Sequence, residues 1–387
     1  MRSQITENRA MNEQNRRASR RAPVFALGAL ALAAAAILAQ AAGCSSDTAS
    51  SGSPPPSTGT GGSSTGGGGT GGSSSTGGSS TGGSDTGGAG GGGGMVPVDP
   101  GPNVDVSNPQ LYKTSFTAEE ADAEASVALG TQLAFLNTNA DPRGVLVVYL
   151  HGAGAPSTCG SNAHGEMLAS LGFHVLSPCY LSDYGVGNCK DDIEGCRLEA
   201  FEGVDHHAYI DVKPSDSAEV RITKGLKYVQ EKIPQGDWTY FLDGDKPKWS
   251  KIIVSGISHG ASSSAVIGKH RLVHRVVSLS GPLDSGQAWL KAPSITPLDR
   301  FFAFTHTDDT QHPGHLQSFA DLALVGDPIS VDGASPPYNG SHRLVSSANT
   351  ADGHGATQAG GSSPKDADGK YVYLPVWTYM YAGEPAP

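Results

Sequence analysis

From about residue 107 onward, short continuous apolar runs alternate with longer stretches of helical periodicity. "GVLVVYLHGAG" is apolar at every strand position, which is the pattern of a strand buried on both faces rather than on one. "SVALGTQLAFLN" reads as early strands of the same sheet, "EMLASLG" as a short helix ending at Gly172, and "FHVLSPCYL" as the next strand. A polar, cysteine-containing insertion then runs from about Ser182 to Pro214. "SDSAEVRITKGLKYVQEKIP" opens on Ser/Asp caps, keeps a helical period and stops at Pro234. The strand "KIIVSG", a helix from Ala261, the run "HRVVSLSGPLD", the strand "RFFAFTHTDD" and the helix "GHLQSFADLALVG" follow, and "HRLVSSA" reads as the last strand. The late aromatics of "KYVYLPVWTYMYAG" are expected to pack a terminal element against the core. Strands alternating with helices in this way predict an α/β fold, a mostly parallel central sheet covered on both faces. Chemistry in such sheets sits at the carboxyl ends of the strands.

The residues ahead of this region differ in kind. A basic segment holds Arg9, Arg16, Arg17, Arg20 and Arg21, and "VFALGALALAAAAILAQAAGC" follows it. Charge, length and small-residue ending make residues 1–43 a signal peptide. Its end, Ala41-Ala42-Gly43 before Cys44, resembles the lipobox of bacterial lipoproteins, with Ala41 where Leu is usual. That resemblance implies lipidation of Cys44 and an exported protein held on a bacterial membrane, the outer one because Ser45 rather than Asp follows the Cys. Ser45 to Gly94 is almost pure Gly, Ser and Thr, which buries no apolar surface, so residues 44–106 are expected to form a disordered linker. The folded domain is expected over 107–387.

The chain of 387 residues carries 26 Lys and Arg against 37 Asp and Glu. Without residues 1–43 the balance is 20 against 35, a formal charge near −15, which excludes nucleic acid as a natural partner. Besides Cys44 there are Cys159, Cys179, Cys189 and Cys196, an even number suited to two disulfides in an oxidising compartment. "CKDDIEGC" would close a small loop between Cys189 and Cys196 and leave Cys159 for Cys179, one of three connectivities the sequence allows. No C-x-x-C pair is present, so a zinc site is not expected.

The candidate chemistry falls at strand ends. In "KIIVSGISHG", Ser258 follows a buried strand and opens a helix, with Gly256 and Gly260 leaving room for the sharp turn of a nucleophile elbow. The His259 N–H then points from a helix N-terminus toward developing negative charge. A serine hydroxyl needs a base, and the base an orienting acid. "RFFAFTHTDD" ends in Asp308 and Asp309, of which Asp309 is preferred, four residues before Pro313. His354 in "ADGHGATQ", between glycines beyond the last strand, is the candidate base, ahead of His312, His315 and His342. "LHGAG" supplies a turn whose Ala153 N–H, or that of Gly154, would be the second oxyanion donor, while His151 reads as a structural turn residue. "THTDDTQHPGH" lacks the helical H-E-x-x-H of a metal site. The histidines of "VDHHAYID" read as surface residues.

HGAG, GISHG, TDD and GHG in this order resemble the α/β-hydrolases over nearly all of the chain after about residue 125. "CRLEAFEGVD", "DWTYFL…KWSKIIVSGISHG" and "RVVSLSGPLD" are similar to a poorly characterised group of exported bacterial members, many with Gln where His259 stands. The resemblance implies a Ser258–His354–Asp309 triad with oxyanion donors at Ala153 and His259, and names no substrate; no cofactor is expected, and a small-molecule or polymeric ester is the expected substrate. A carboxylesterase is the first expectation. A lipase, acyltransferase or peptidase on the same fold is the alternative, as is a non-catalytic surface-binding lipoprotein.

Overall fold

A computed structural model describes residues 99–383, apart from residue 191. The signal segment, Cys44 and the Gly/Ser/Thr tract lie outside the described residues.

Nine strands form one sheet among the described residues: β1 Leu111–Phe116, β2 Gln132–Asn137, β3 Leu146–Leu150, β4 His174–Ser177, β5 Ile252–Ile257, β6 Arg275–Leu279, β7 Phe301–His306, β8 Ile329–Ser330 and β9 Arg343–Ser346. Their order across the sheet is β1-β2-β4-β3-β5-β6-β7-β9-β8. β2 pairs antiparallel with both its neighbours, and every pairing from β4 to β8 is parallel.

The continuous apolar strands do what their pattern predicts. Leu146, Val148 and Leu150 of β3 enter one core, and Val147 and Tyr149 enter the other. β5 divides in the same way, with Ile252 and Val254 on one side and Ile253 and Ile257 on the other. The first core is closed by α4 (Ile193–Glu202), α5 (Ala218–Lys232), α6 (His259–His270) and α7 (His312–Asp321). The second is closed by α2 (Asn162–Ser170) and α9 (Leu374–Ala382). α9 carries the late aromatics, and Trp377, Met380 and Tyr381 are buried as expected. The Arg275 guanidinium holds its end, donating to Met380 O (2.9 Å) and Gly383 O.

Several expectations are adjusted. β1 was not foreseen, and "SVALGTQLAFLN" forms one strand, with residues 126–131 running outside it. α6 starts at His259 rather than Ala261. β9 is the last strand among the described residues, but the two-residue β8 lies outside it at the sheet edge.

The domain also begins before residue 107. Tyr240 Oη and Lys251 Nζ meet Asp99 Oδ2 at 2.8 and 3.2 Å, the Asn103 N–H donates to Asp237 Oδ2 (2.9 Å), and the Asp105 N–H donates to Gln235 O (2.8 Å). Val104 packs against the first core, so residues 99–106 are strapped to the domain by groups that composition alone does not reveal.

The insertion is a folded wall. It contains α3 (Val186–Cys189) and α4, joined by the Cys189–Cys196 disulfide; the other disulfide is Cys159–Cys179. The buried Glu199 carboxylate accepts N–H groups from His206 (3.0 Å), His207 (2.8 Å) and Val212 (3.3 Å), winding the "VDHHAYID" loop about a fixed anion. A parallel sheet with helices on both faces, a serine elbow after β5 and a histidine beyond β9 is the α/β-hydrolase architecture. Among the described residues no helix is long and apolar enough to cross a membrane.

Candidate active site

The elbow between β5 and α6 is built by close approach. A side-chain carbon at Gly260 would lie 2.2 Å from Leu150 O, and one at Gly256 would lie 2.6 Å from the same oxygen. Only glycine lets the start of α6 press onto the end of β3. Between them Ser258 adopts φ +59°, ψ −120°, a conformation few L-residues hold without surrounding support. Its own N–H is anchored on Leu279 O at 2.9 Å, so the strain is held by the β6 end. Ser258 is half-buried, and its hydroxyl takes no hydrogen bond among the described residues.

Asp309 lies just beyond β7, its carboxylate 1% exposed. One oxygen accepts the Gln311 N–H (2.9 Å) and the other accepts Nδ1–H of His354 (2.7 Å). Asp308, next to it, is exposed. His354 sits in the short helix α8 (Gly353–Ala356), whose N-cap Asp352 accepts the N–H groups of His354 and Gly355, both at 3.1 Å. With Nδ1 committed to Asp309, Nε2 of this one-third-exposed ring is left to act as a base.

The rival histidines are structural. His342 donates from Nδ1 to Phe301 O (3.0 Å) and stacks on Phe302. His312 and His315 both reach Thr305 Oγ1, and His315, fully buried, has its Nδ1 3.8 Å from the Asp309 carboxylate. Burial holds His315 down to about 4, so it stays neutral behind the acid.

The turn after β3 lies against the elbow. A carbon added at Gly152 would be 3.5 Å from Ser258 Cβ and 3.9 Å from its Oγ. Of the two donors the sequence offered, the Gly154 N–H is spent on Ser182 O (3.1 Å), whereas the Ala153 N–H meets no acceptor among the described residues. His151 is structural, as read: burial lowers its pKa, its Nδ1 faces Gly152 O at 2.8 Å and its Nε2 accepts the Tyr180 N–H at 3.4 Å.

What sequence reasoning missed stands behind the elbow. Arg197 of α4 grips Asp284 through two 2.8 Å bonds, with the paired side chains 2% and 1% exposed. The same guanidinium reaches His259 O (3.2 Å) and Ser263 Oγ (3.0 Å) on α6, and Trp289 Nε1–H also donates to Asp284 (3.2 Å). The segments "CRLEAFEGVD" and "RVVSLSGPLD" thus meet in one buried ion pair. The signal lay in that pair of segments, but a charge in a polar stretch reads as surface until its partner is known.

Among the described residues one group has metal-ligand spacing, Cys189, Cys196 and His207. Its two sulfurs are joined in a disulfide and offer no thiolate.

No protein-family model and no curated protein sequence matches the chain. Solved structures similar to it include a thermostable esterase (14% identity, 63% of this chain and 58% of that one, TM-score 0.30). A feruloyl esterase module from Clostridium thermocellum in complex with sinapinate shares 13% identity, over 73% of this chain and 89% of that one, at TM-score 0.33. Thermogutta terrifontis esterase 2 shares 12%, over 66% and 88%, at TM-score 0.32. No activity passes from those proteins to this one at such identities. It is the chain's own parallel sheet, its strained serine elbow and the turn packed against that elbow that give it the architecture of an α/β-hydrolase.

Proposed function

We propose that this protein is an exported, lipid-anchored serine hydrolase that cleaves carboxylic esters. The observation that carries the reading is the 2.7 Å bond between His354 Nδ1 and the buried Asp309 carboxylate, beyond the carboxyl ends of the same parallel sheet whose strand β5 ends in the strained Ser258 elbow. A serine, a histidine base and a buried carboxylate that orients it are the three groups by which a Ser-His-Asp triad activates its nucleophile.

In the proposed reaction Ser258 Oγ attacks the ester carbonyl while His354 Nε2 takes its proton. Asp309 stabilises the imidazolium, and the N–H groups of Ala153 and His259 receive the oxyanion. Collapse of the tetrahedral intermediate breaks the ester C–O bond, and the alcohol leaves with the proton from His354. Water, deprotonated by His354, then attacks the acyl-serine, and a second collapse releases the carboxylic acid and restores Ser258. These steps require no cofactor.

The anchor is read from the sequence around Cys44. A random coil of about 50 residues would let the domain range roughly 40 Å from a membrane surface. Replacing Cys44 with Ala should move the protein from the membrane fraction to the soluble one.

Fluorophosphonate labelling tests the enzymatic reading. The wild type should label and hydrolyse p-nitrophenyl esters, while Ser258→Ala and His354→Ala should do neither. A correctly folded, disulfide-bonded wild type that does not label would refute it and leave a binding lipoprotein.

A further inference from the structure

The groups of the turn that would bear the oxyanion are tied up by one short segment, Cys179–Ser182. The Tyr180 O–H donates to His151 O at 2.9 Å, and the Tyr180 N–H reaches His151 Nε2 at 3.4 Å. Ser182 Oγ lies 2.8 Å from Gly154 O and 3.1 Å from Gly152 O, and Ser182 O accepts the Gly154 N–H. Cys179 is bonded to Cys159 at the far end of the same loop. With these groups occupied, the Ala153 N–H is left without an acceptor among the described residues.

The Tyr180 hydroxyl also reaches the other half of the hole. Its oxygen is 3.0 Å from His259 Nδ1, on the residue that carries the second N–H. Tyr180 donates its proton to His151 O, so His259 must donate from Nδ1 and Tyr180 must accept. Burial supports both roles, raising the Tyr180 pKa far above its ordinary range and keeping the His259 ring neutral. One O–H thus bridges the β3 turn and the first residue of α6. A tyrosine suits this role because its rigid ring, 2% exposed, has only two side-chain torsions to fix.

We infer that Cys179–Ser182 is a template for the oxyanion hole, with Tyr180 the positioning residue that sets the spacing between the Ala153 and His259 donors. The inference rests on the serine-hydrolase reading above. Tyr180 touches no reacting atom; it acts through the backbone on either side of the hole. Oxyanion donors act only when aimed at the position the charge will occupy, and a misplacement of about 1 Å can cost on the order of 100-fold in rate.

The test compares wild type, Tyr180→Phe and Ser182→Ala by steady-state ester hydrolysis and by inhibition with a trifluoromethyl ketone, whose hemiketal oxyanion would occupy the hole. Both variants should keep KM within about twofold, while kcat falls roughly 10- to 100-fold and the ketone Ki rises in parallel. A merely structural role would not move kcat and Ki together at constant KM. Unchanged kcat and Ki in the folded variants would overturn the inference and leave the hydrolase intact, as would a rise in KM alone. Should Tyr180→Phe fail to fold, Ser182→Ala decides, since it removes only a hydroxyl. A folded wild type without ester hydrolysis or labelling brings down both the function and the inference.

Discussion

Asp309 and His354, separated by 45 positions in the chain, meet through a single 2.7 Å hydrogen bond, while Asp308 beside the acid is turned to solvent. The end of β7 makes this choice. His306 turns back to accept the Asp308 N–H (3.1 Å), and the next residue drops its carboxylate below the surface. Asp309→Asn should lower kcat on the order of 1,000- to 10,000-fold with the fold intact, because an amide no longer enforces the tautomer His354 needs. Asp308→Asn should stay within about twofold of wild type. Equal losses in the two variants, measured with a p-nitrophenyl ester, would assign the acid differently.

Gly260 is the tightest point of the elbow. Gly260→Ala would set a methyl 2.2 Å from Leu150 O and 2.6 Å from His151 O, both backbone atoms with no slack to yield. A loss of at least about 2 kcal/mol in urea denaturation is expected, together with loss of labelling at Ser258.

The Arg197–Asp284 pair is buried on both sides. Arg197→Met alone should cost about 3–5 kcal/mol, because it strands a buried carboxylate. Adding Asp284→Leu should recover a large part of that loss. Denaturant midpoints of the two single variants and the double variant check this; a double variant as unstable as the sum of the singles would contradict it.

Buried histidines set the acid side of stability. Burial holds His164 down to about 3, and His174, His315 and His342 down to about 4. The unfolded chain takes up protons on these residues near pH 6.5, whereas the folded chain resists them until the lower values. Their contribution is therefore fully present above about pH 6.5 and declines as the pH falls toward 4. Melting temperature should drop steadily from pH 7 to pH 5. His164→Gln, if it folds, should make that decline shallower; an unchanged slope would remove His164 from the account.

Much of this was legible in the sequence, because the motifs of the elbow, the turn and the acid are local. Gly-x-Ser-x-Gly after an apolar run is a statement about close backbone packing, and the structure supplies the atoms that Gly256 and Gly260 must clear. β1 escaped because "LYKTSF" is half polar, as an edge strand with one wet face must be. Tyr180 escaped for a different reason: at the end of an apolar strand it reads as core, and its function lies in a hydroxyl that bridges residues 29 positions before it and 79 after it. Residues 99–106 read as linker because Pro, Gly and Asp carry no periodicity, and their partners, Gln235, Asp237, Tyr240 and Lys251, are remote in sequence.

The bolting of α4 onto α6 by Arg197 has a further consequence for the insertion. Tyr184, in the same insertion, rests its ring against His259, next to Ser258. The insertion is tied to α6 at that point by the Arg197 contacts, and the Cys189–Cys196 disulfide braces its own two helices. On the serine-hydrolase reading, ester turnover is expected to start without a lag when an oil–water boundary is added, and a lag in that assay would show that the insertion moves away from α6.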